Sequence, residues 1–87
     1  MNDITEIQII PIKPRDGLVG FASLVFDGIY LGSIGIYKKL NGDGFRLLYP
    51  TRKIGEKNIN VFHPINRETS EQIEIEVLEK AEKLFSL

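Results

Sequence analysis

Arg46, Arg52, Lys53 and Lys57 gather around a Tyr49-Pro50-Thr51 corner, Arg67 follows, and Lys38 and Lys39 lie upstream. Lys and Arg bind nucleic-acid phosphates by charge, and backbone N–H groups at a helix start can add to such contacts. Side chains of these types are also common as plain surface charge, so composition alone leaves both readings open. His63 is the chain's lone histidine. As a general base it would need an orienting carboxylate and a nucleophile or substrate within hydrogen-bond reach, and no nucleophile motif accompanies it. Next to Pro64, it reads instead as a turn residue that fixes the chain through its ring N–H. Glu71, Glu74, Glu76, Glu79 and Glu82 alternate with lysines and read as the solvated face of a helix rather than as metal ligands or an acid/base pair. Gly42 and Gly44 lack the G-x-x-x-x-G-K-[ST] pattern of a phosphate-binding loop, and no long helix follows them, so they read as a hairpin loop.

These residues must be held by a small scaffold. The 87-residue chain is expected to form one domain over residues 1–87, with a thin core. There is no cysteine, which removes disulfides and thiolate metal sites together. With neither staple present, self-association is the expected source of further burial, and a homodimer is predicted. Asp3 and Glu6 stand where a secretion signal would be basic, and no apolar run approaches the ~18 residues of a membrane span. A cytoplasmic protein with no membrane partner is expected. The formal net charge of −1 exerts no global pull on nucleic acid. Its distribution is uneven: residues 1–66 carry eight Lys/Arg against six Asp/Glu, and residues 67–87 three against six.

Short strands precede one helix, which predicts an α+β fold: a small antiparallel sheet of about five strands packed with a C-terminal helix. Ile4 to Ile12 is apolar and β-branched, with an alternation that slips between Ile9 and Ile10, and Pro11 predicts an edge or a bulge there. Pro14, Asp16 and Gly17 mark a turn. Leu18–Phe26 and Ile29–Tyr37 flank Asp27-Gly28, the dipeptide of a two-residue type I′ hairpin. Alternation places Leu18, Ala22, Leu24 and Phe26 on one face and Val19, Phe21 and Val25 on the other. A strand apolar on both faces calls for two covers: the helix, and a second subunit. Gly32 and Gly35 allow a bulge or a close backbone approach in the next strand. Asn41-Gly42-Asp43-Gly44 forms a turn, Phe45–Tyr49 a fourth strand, Thr51–Lys57 a basic connection and Asn58–Phe62 a fifth strand that His63-Pro64 ends. Thr69-x-x-Gln72 reads as a capping box. Ile73, Val77, Leu78, Ala81, Leu84 and Phe85 form the helix's apolar stripe, and Glu76/Lys80 and Glu79/Lys83 are i,i+4 pairs. Ile73 to Val77 also alternates like a strand, yet length, cap and ion pairs favour helix. Ile75 falls off the stripe and is a candidate contact with a partner subunit.

From Tyr49 to Leu78 the sequence resembles the stage V sporulation protein G (SpoVG) family, the septation regulators. The resemblance rests on Pro50-Thr51-Arg52-Lys53 for the family's P-[ST]-[KR]-[KR] corner, on His63-Pro64-Ile65-Asn66 for its H-P-I-N, and on Thr69 before the helix. Ile4-Thr5-Glu6-Ile7, Gly20-Phe21-Ala22-Ser23-Leu24 and Asp27 extend it over nearly the whole chain. It implies a compact α+β homodimer that binds DNA, and in some members RNA, and regulates gene expression in septation and sporulation. It implies no enzyme activity, no cofactor and no small-molecule substrate. Arg52, Lys53, Lys57 and Arg67 are then the expected nucleic-acid contacts, and His63, Pro64, Asn66 and Thr69 the residues of the strand-to-helix turn. Where the family places a basic T-R-G-K, this chain has Thr69-Ser70-Glu71-Gln72. That departure points to the alternative, a non-catalytic protein-interaction or structural module that kept the fold without nucleic-acid affinity.

Overall fold

A computed structural model describes residues 3–40 and 42–85. Four strands, β1 (Ile4–Arg15), β2 (Leu18–Phe26), β3 (Ile29–Lys38) and β4 (Phe45–Leu48), form an antiparallel meander in chain order. A separate two-stranded sheet follows, β5 (Thr51–Ile54) and β6 (Lys57–Asn60), and then one helix, α1 (Arg67–Phe85). The α+β class holds. The five-strand sheet resolves into a sheet of four and a hairpin of two.

Two dipeptides set the meander. Asp27 (φ 49°) and Gly28 (φ 81°) both take the left-handed conformation of a type I′ turn, with Phe26 opposite Ile29. Asp16 (φ 53°) and Gly17 (φ 90°) repeat the device between Arg15 and Leu18, so β1 runs three residues beyond Ile12. The tip of the β2–β3 hairpin is tied back to the start of β1, where Asp3 and Asp27 exchange backbone and side-chain bonds of 3.1 and 3.2 Å. Asn41 lies outside the described residues; the rest of its turn has Gly42 and Gly44 at φ 98° and 107°.

Bulges decide which side chains face the helix. Pairing from Gln8 to Pro11 is unbroken; β1 is an edge strand, and its shifts fall between Thr5 and Gln8 and between Pro11 and Arg15, the second directly after Pro11 as expected there. Glu6, at φ 52°, carries the first of them, and Ser33, at φ 61°, carries a matching one in β3 next to Gly32. A fourth shift lies between Leu18 and Gly20. It turns Val19 toward the core and leaves Leu18 beside Tyr37 on the opposite face, reversing the sides that simple alternation assigns to them.

The core is one-sided. Ala22, Leu24, Ile34 and Ile36 from the sheet meet Ile73, Val77 and Ala81 from α1, all at 2% exposure or less. Phe45 and Phe85 close one end at a ring separation of 5.5 Å. Leu84, placed in the stripe by spacing, is instead 48% exposed, and Ile75 stands out at 65%. Lys80 extends to the Ile7 carbonyl oxygen at 3.4 Å, which joins the helix to β1.

The helix starts earlier than the capping box implies. The Asn66 side-chain oxygen accepts the Thr69 N–H at 2.8 Å, and Ser70 N–H bonds to the Asn66 carbonyl at 3.1 Å. Asn66 is therefore the N-cap and Thr69 the third helical residue. Glu68 is the acid of the first turn, where it complements the helix dipole.

Gly20 shows how tightly β1 sits on β2. A Cβ there would lie 2.7 Å from the Ile10 carbonyl oxygen and 3.3 Å from the Pro11 Cα, both backbone. At Gly35 the nearest atom is the Tyr37 ring, a side chain that can swing away. Gly20→Ala should thus cost about 1–3 kcal/mol in urea unfolding, the range of an overpacked core. Gly35→Ala should cost clearly less.

Candidate nucleic-acid interface

The basic connection expected over Thr51–Lys57 is half of a hairpin arm. Gly55 (φ 63°) followed by Glu56, which lacks a positive φ, is the backbone pattern of a type II′ turn between Ile54 and Lys57. In the sequence the only signal for this hairpin is the Gly55-Glu56 dipeptide, since neither T-R-K-I nor K-N-I-N alternates. Every residue from Thr51 to Asn60 is exposed, and the arm packs extensively on no other element among the described residues.

Its base is anchored. Val61 N–H donates to the Pro50 carbonyl oxygen at 2.8 Å, one step below the Thr51–Asn60 pair. Below that, Tyr49 and Phe62 meet edge to face at 5.9 Å, and both pack against the core. The arm is thus carried on a pair of aromatic rings rather than hung from flexible chain.

The pleat separates residues that are neighbours in sequence. Register pairs Arg52 with Ile59 and Ile54 with Lys57, which puts these four side chains on one face. Lys53 pairs with Asn58 and Thr51 with Asn60, so Lys53 points the other way. The arm therefore gathers Arg52 and Lys57 on one face and Lys53 on the opposite one. Arg67 is exposed at the first position of α1, outside the arm. Arg46 is engaged elsewhere: its guanidinium lies 5.6 Å from the centre of the Tyr37 ring, a cation–π geometry on the outer sheet face. Lys38 pairs with Phe45, at the end of β4 far from the arm.

His63 Nδ1 lies 3.0 Å from the Pro64 carbonyl oxygen. A carbonyl only accepts, so this nitrogen carries the proton, and the ring braces the turn ahead of Asn66 and α1. Pro64 is half-buried and, with Phe26, Ile29, Leu31, Phe62 and Ile73, lines an open groove of about 340 Å³. The groove is mainly apolar, and Tyr49, His63 and Thr69 add polar atoms to its lining. Among the described residues no three His, Asp or Glu side chains converge as metal ligands would.

No protein-family profile matches the chain. A relative from Treponema denticola that bears the name septation protein SpoVG is 30% identical, over 93% of this chain and 87% of its own length. The chain belongs to the SpoVG family. Thr69-Ser70-Glu71-Gln72, the segment that the resemblance sets against T-R-G-K, lies inside α1, not at its start. The basic residue at the first helical position here is Arg67.

The Tyr49 hydroxyl is wholly buried and has no hydrogen-bond partner among the described residues. Burial, and then the negative charge of Glu74, pushes its pKa up from 10 to about 12. The folded state therefore keeps this proton while an unfolded chain releases it, so stability falls as pH rises from 10 through 12. Tyr49→Phe should remove that share of the alkaline loss, and at pH 7 it should unfold no more easily than the parent, since an unpaired buried hydroxyl is deleted. Urea midpoints of both proteins from pH 7 to 12 check this.

Proposed function

We propose that this SpoVG-family chain is a non-catalytic, cytoplasmic nucleic-acid-binding regulator that acts as a homodimer in septation. The observation that carries this reading is the free-standing basic arm. Its Pro50-Thr51-Arg52-Lys53 corner is displayed on an anchored ribbon with no apparent use inside the fold. Arg52, Lys53 and Lys57 give it positive charge against a single acid, Glu56, and Arg67 adds another beyond its base. The septation role is taken over from the name of the Treponema denticola relative.

The homodimer is supported by the uncovered face of the meander. Ile10, Phe21, Gly35 and Leu48 align across all four strands on the side away from α1. Ile10, Phe21 and Leu48 are 63%, 37% and 48% exposed, an apolar row that a second copy would bury.

A second reading, a protein-interaction module, is favoured by the outer side of α1. There Ile75 and Leu78 lie among Glu74, Glu79 and Glu82, a surface that repels phosphate. A protein partner recovered regardless of nuclease treatment would favour it.

An Arg52→Ala/Lys53→Ala variant should bind mixed DNA and RNA probes more weakly whatever their sequence. Its log K against log salt slope should be shallower by about two, near one per lost phosphate contact. A wild type that shifts no probe at low salt in a mobility assay would sink the nucleic-acid reading. Phe21→Lys should turn a dimer mass into a monomer mass in light scattering while leaving the helical signal in circular dichroism intact. A wild type already monomeric at micromolar concentration would refute the homodimer.

A further inference from the structure

The two faces of the arm differ in chemistry, and that difference points to a particular form of nucleic acid. Thr51, Lys53, Asn58 and Asn60 occupy one face, and none of them is apolar. Their side chains offer the groups that read base edges: asparagine can pair with adenine N6 and N7 in two bonds, and lysine can reach guanine O6 and N7. Threonine can bond to either base or contact a thymine methyl. Arg52, Ile54, Lys57 and Ile59 occupy the other face. Arg52 belongs to β5 and Lys57 to β6, so the two long cations on that face start from different strands of the ribbon. Extended along its stem, each would reach a different wall of a groove into which the polar face is lowered.

The ribbon's shape suits that placement. Two strands lie about 4.8 Å apart, and the major groove of B-form DNA, about 12 Å wide, admits a two-stranded ribbon. The major groove of A-form RNA is too narrow and deep for side chains to read. The tip is slim, since Gly55 has nothing within 4 Å of a Cβ position. Glu56 sits at that tip next to Lys57, while Arg52 emerges nearer the base of the arm. The base is held by the Pro50–Val61 bond and the Tyr49–Phe62 ring pair, so the ribbon presents its face without first having to be ordered.

We propose that the β5–β6 arm enters the major groove of duplex DNA, with Asn58, Asn60 and Lys53 reading base edges while Arg52 and Lys57 hold the two phosphate walls. This rests on the nucleic-acid reading above but goes beyond it, because that reading requires neither a duplex nor base recognition.

The test uses the whole chain and a pool of duplex DNA with a randomised core. Double-stranded RNA and single-stranded DNA of the same composition run in parallel. Wild type should bind duplex DNA at least ten-fold more tightly than double-stranded RNA and should enrich a motif. Asn58→Ala/Asn60→Ala should keep its affinity for the unselected pool within about three-fold but lose about ten-fold in preference for the motif per asparagine. Arg52→Ala/Lys57→Ala should do the reverse, losing affinity for every duplex while keeping what preference remains. Replacing motif purines by their 7-deaza analogues, which lack the N7 acceptor, should abolish the preference of wild type without touching the protein. The proposal is overturned if RNA duplexes or single strands bind as tightly as duplex DNA. A wild type that enriches no motif, or an asparagine variant that enriches the same one, overturns it equally. In those outcomes binding itself persists and the broader reading stands. Absence of binding to every pool removes both.

Discussion

Everything in this molecule depends on the burial of one helix stripe against one face of a four-stranded sheet. Ile73, Val77 and Ala81 meet Ala22, Leu24, Ile34 and Ile36, and these are the only fully buried apolar side chains among the described residues. Burial of an Ile or Leu is worth about 1.5–3 kcal/mol relative to exposure, so a core this small leaves little surplus over the entropy of ordering the chain. Two consequences follow. The sheet must be shaped to cradle a single helix, and the surfaces beyond that contact are free for other uses.

The shaping is done by backbone devices rather than by side-chain bulk. Glu6 and Ser33 take positive φ in adjacent-edge bulges on either side of β2, and the bulge at Val19 swaps its side with that of Leu18. Each adds local twist, which wraps the sheet around α1. Gly20 then lets β1 approach within a distance that no Cβ would tolerate. These same devices explain where the sequence could and could not be read. Asp27-Gly28 announces its hairpin because both residues need φ > 0 and few others supply it. Bulges at Glu6 and Ser33 have no such signature: a Glu or Ser in the left-handed region is imposed by pairing with β2, not by its own preference. The period of two was therefore legible strand by strand, but the face of Leu18 was not.

At the helix start the ambiguity had a different origin. Thr69 with Gln72 satisfies the spacing of a capping box, while Asn66 also satisfies the chemistry of an N-cap three residues earlier. The choice is settled by the His63-Pro64 turn, whose ring-to-carbonyl bond aims the chain so that Asn66 reaches the Thr69 N–H. The basic residues show the converse. Their presence near the Pro50 corner was evident, but the division of Arg52 and Lys57 from Lys53 needed the register of a hairpin hidden behind a single Gly-Glu dipeptide.

The acidic helix and the basic arm can then be understood together. An isolated two-stranded hairpin is marginal in water, so an arm exposed on both faces needs its anchor to persist. That anchor, Tyr49 on Phe62, is seated on the same core that α1 completes, and Glu74 of α1 is close enough to raise the Tyr49 pKa. The helix thus supports the arm at its base while its carboxylates stay with the body. Exposed charges lose most of their influence beyond a Debye length, about 8 Å at physiological salt. An arm that extends from its anchor without packing against α1 therefore keeps its positive field largely intact despite the chain's net charge of −1. Overall charge is a poor guide to such a protein; what matters is which charges the fold carries away from the rest.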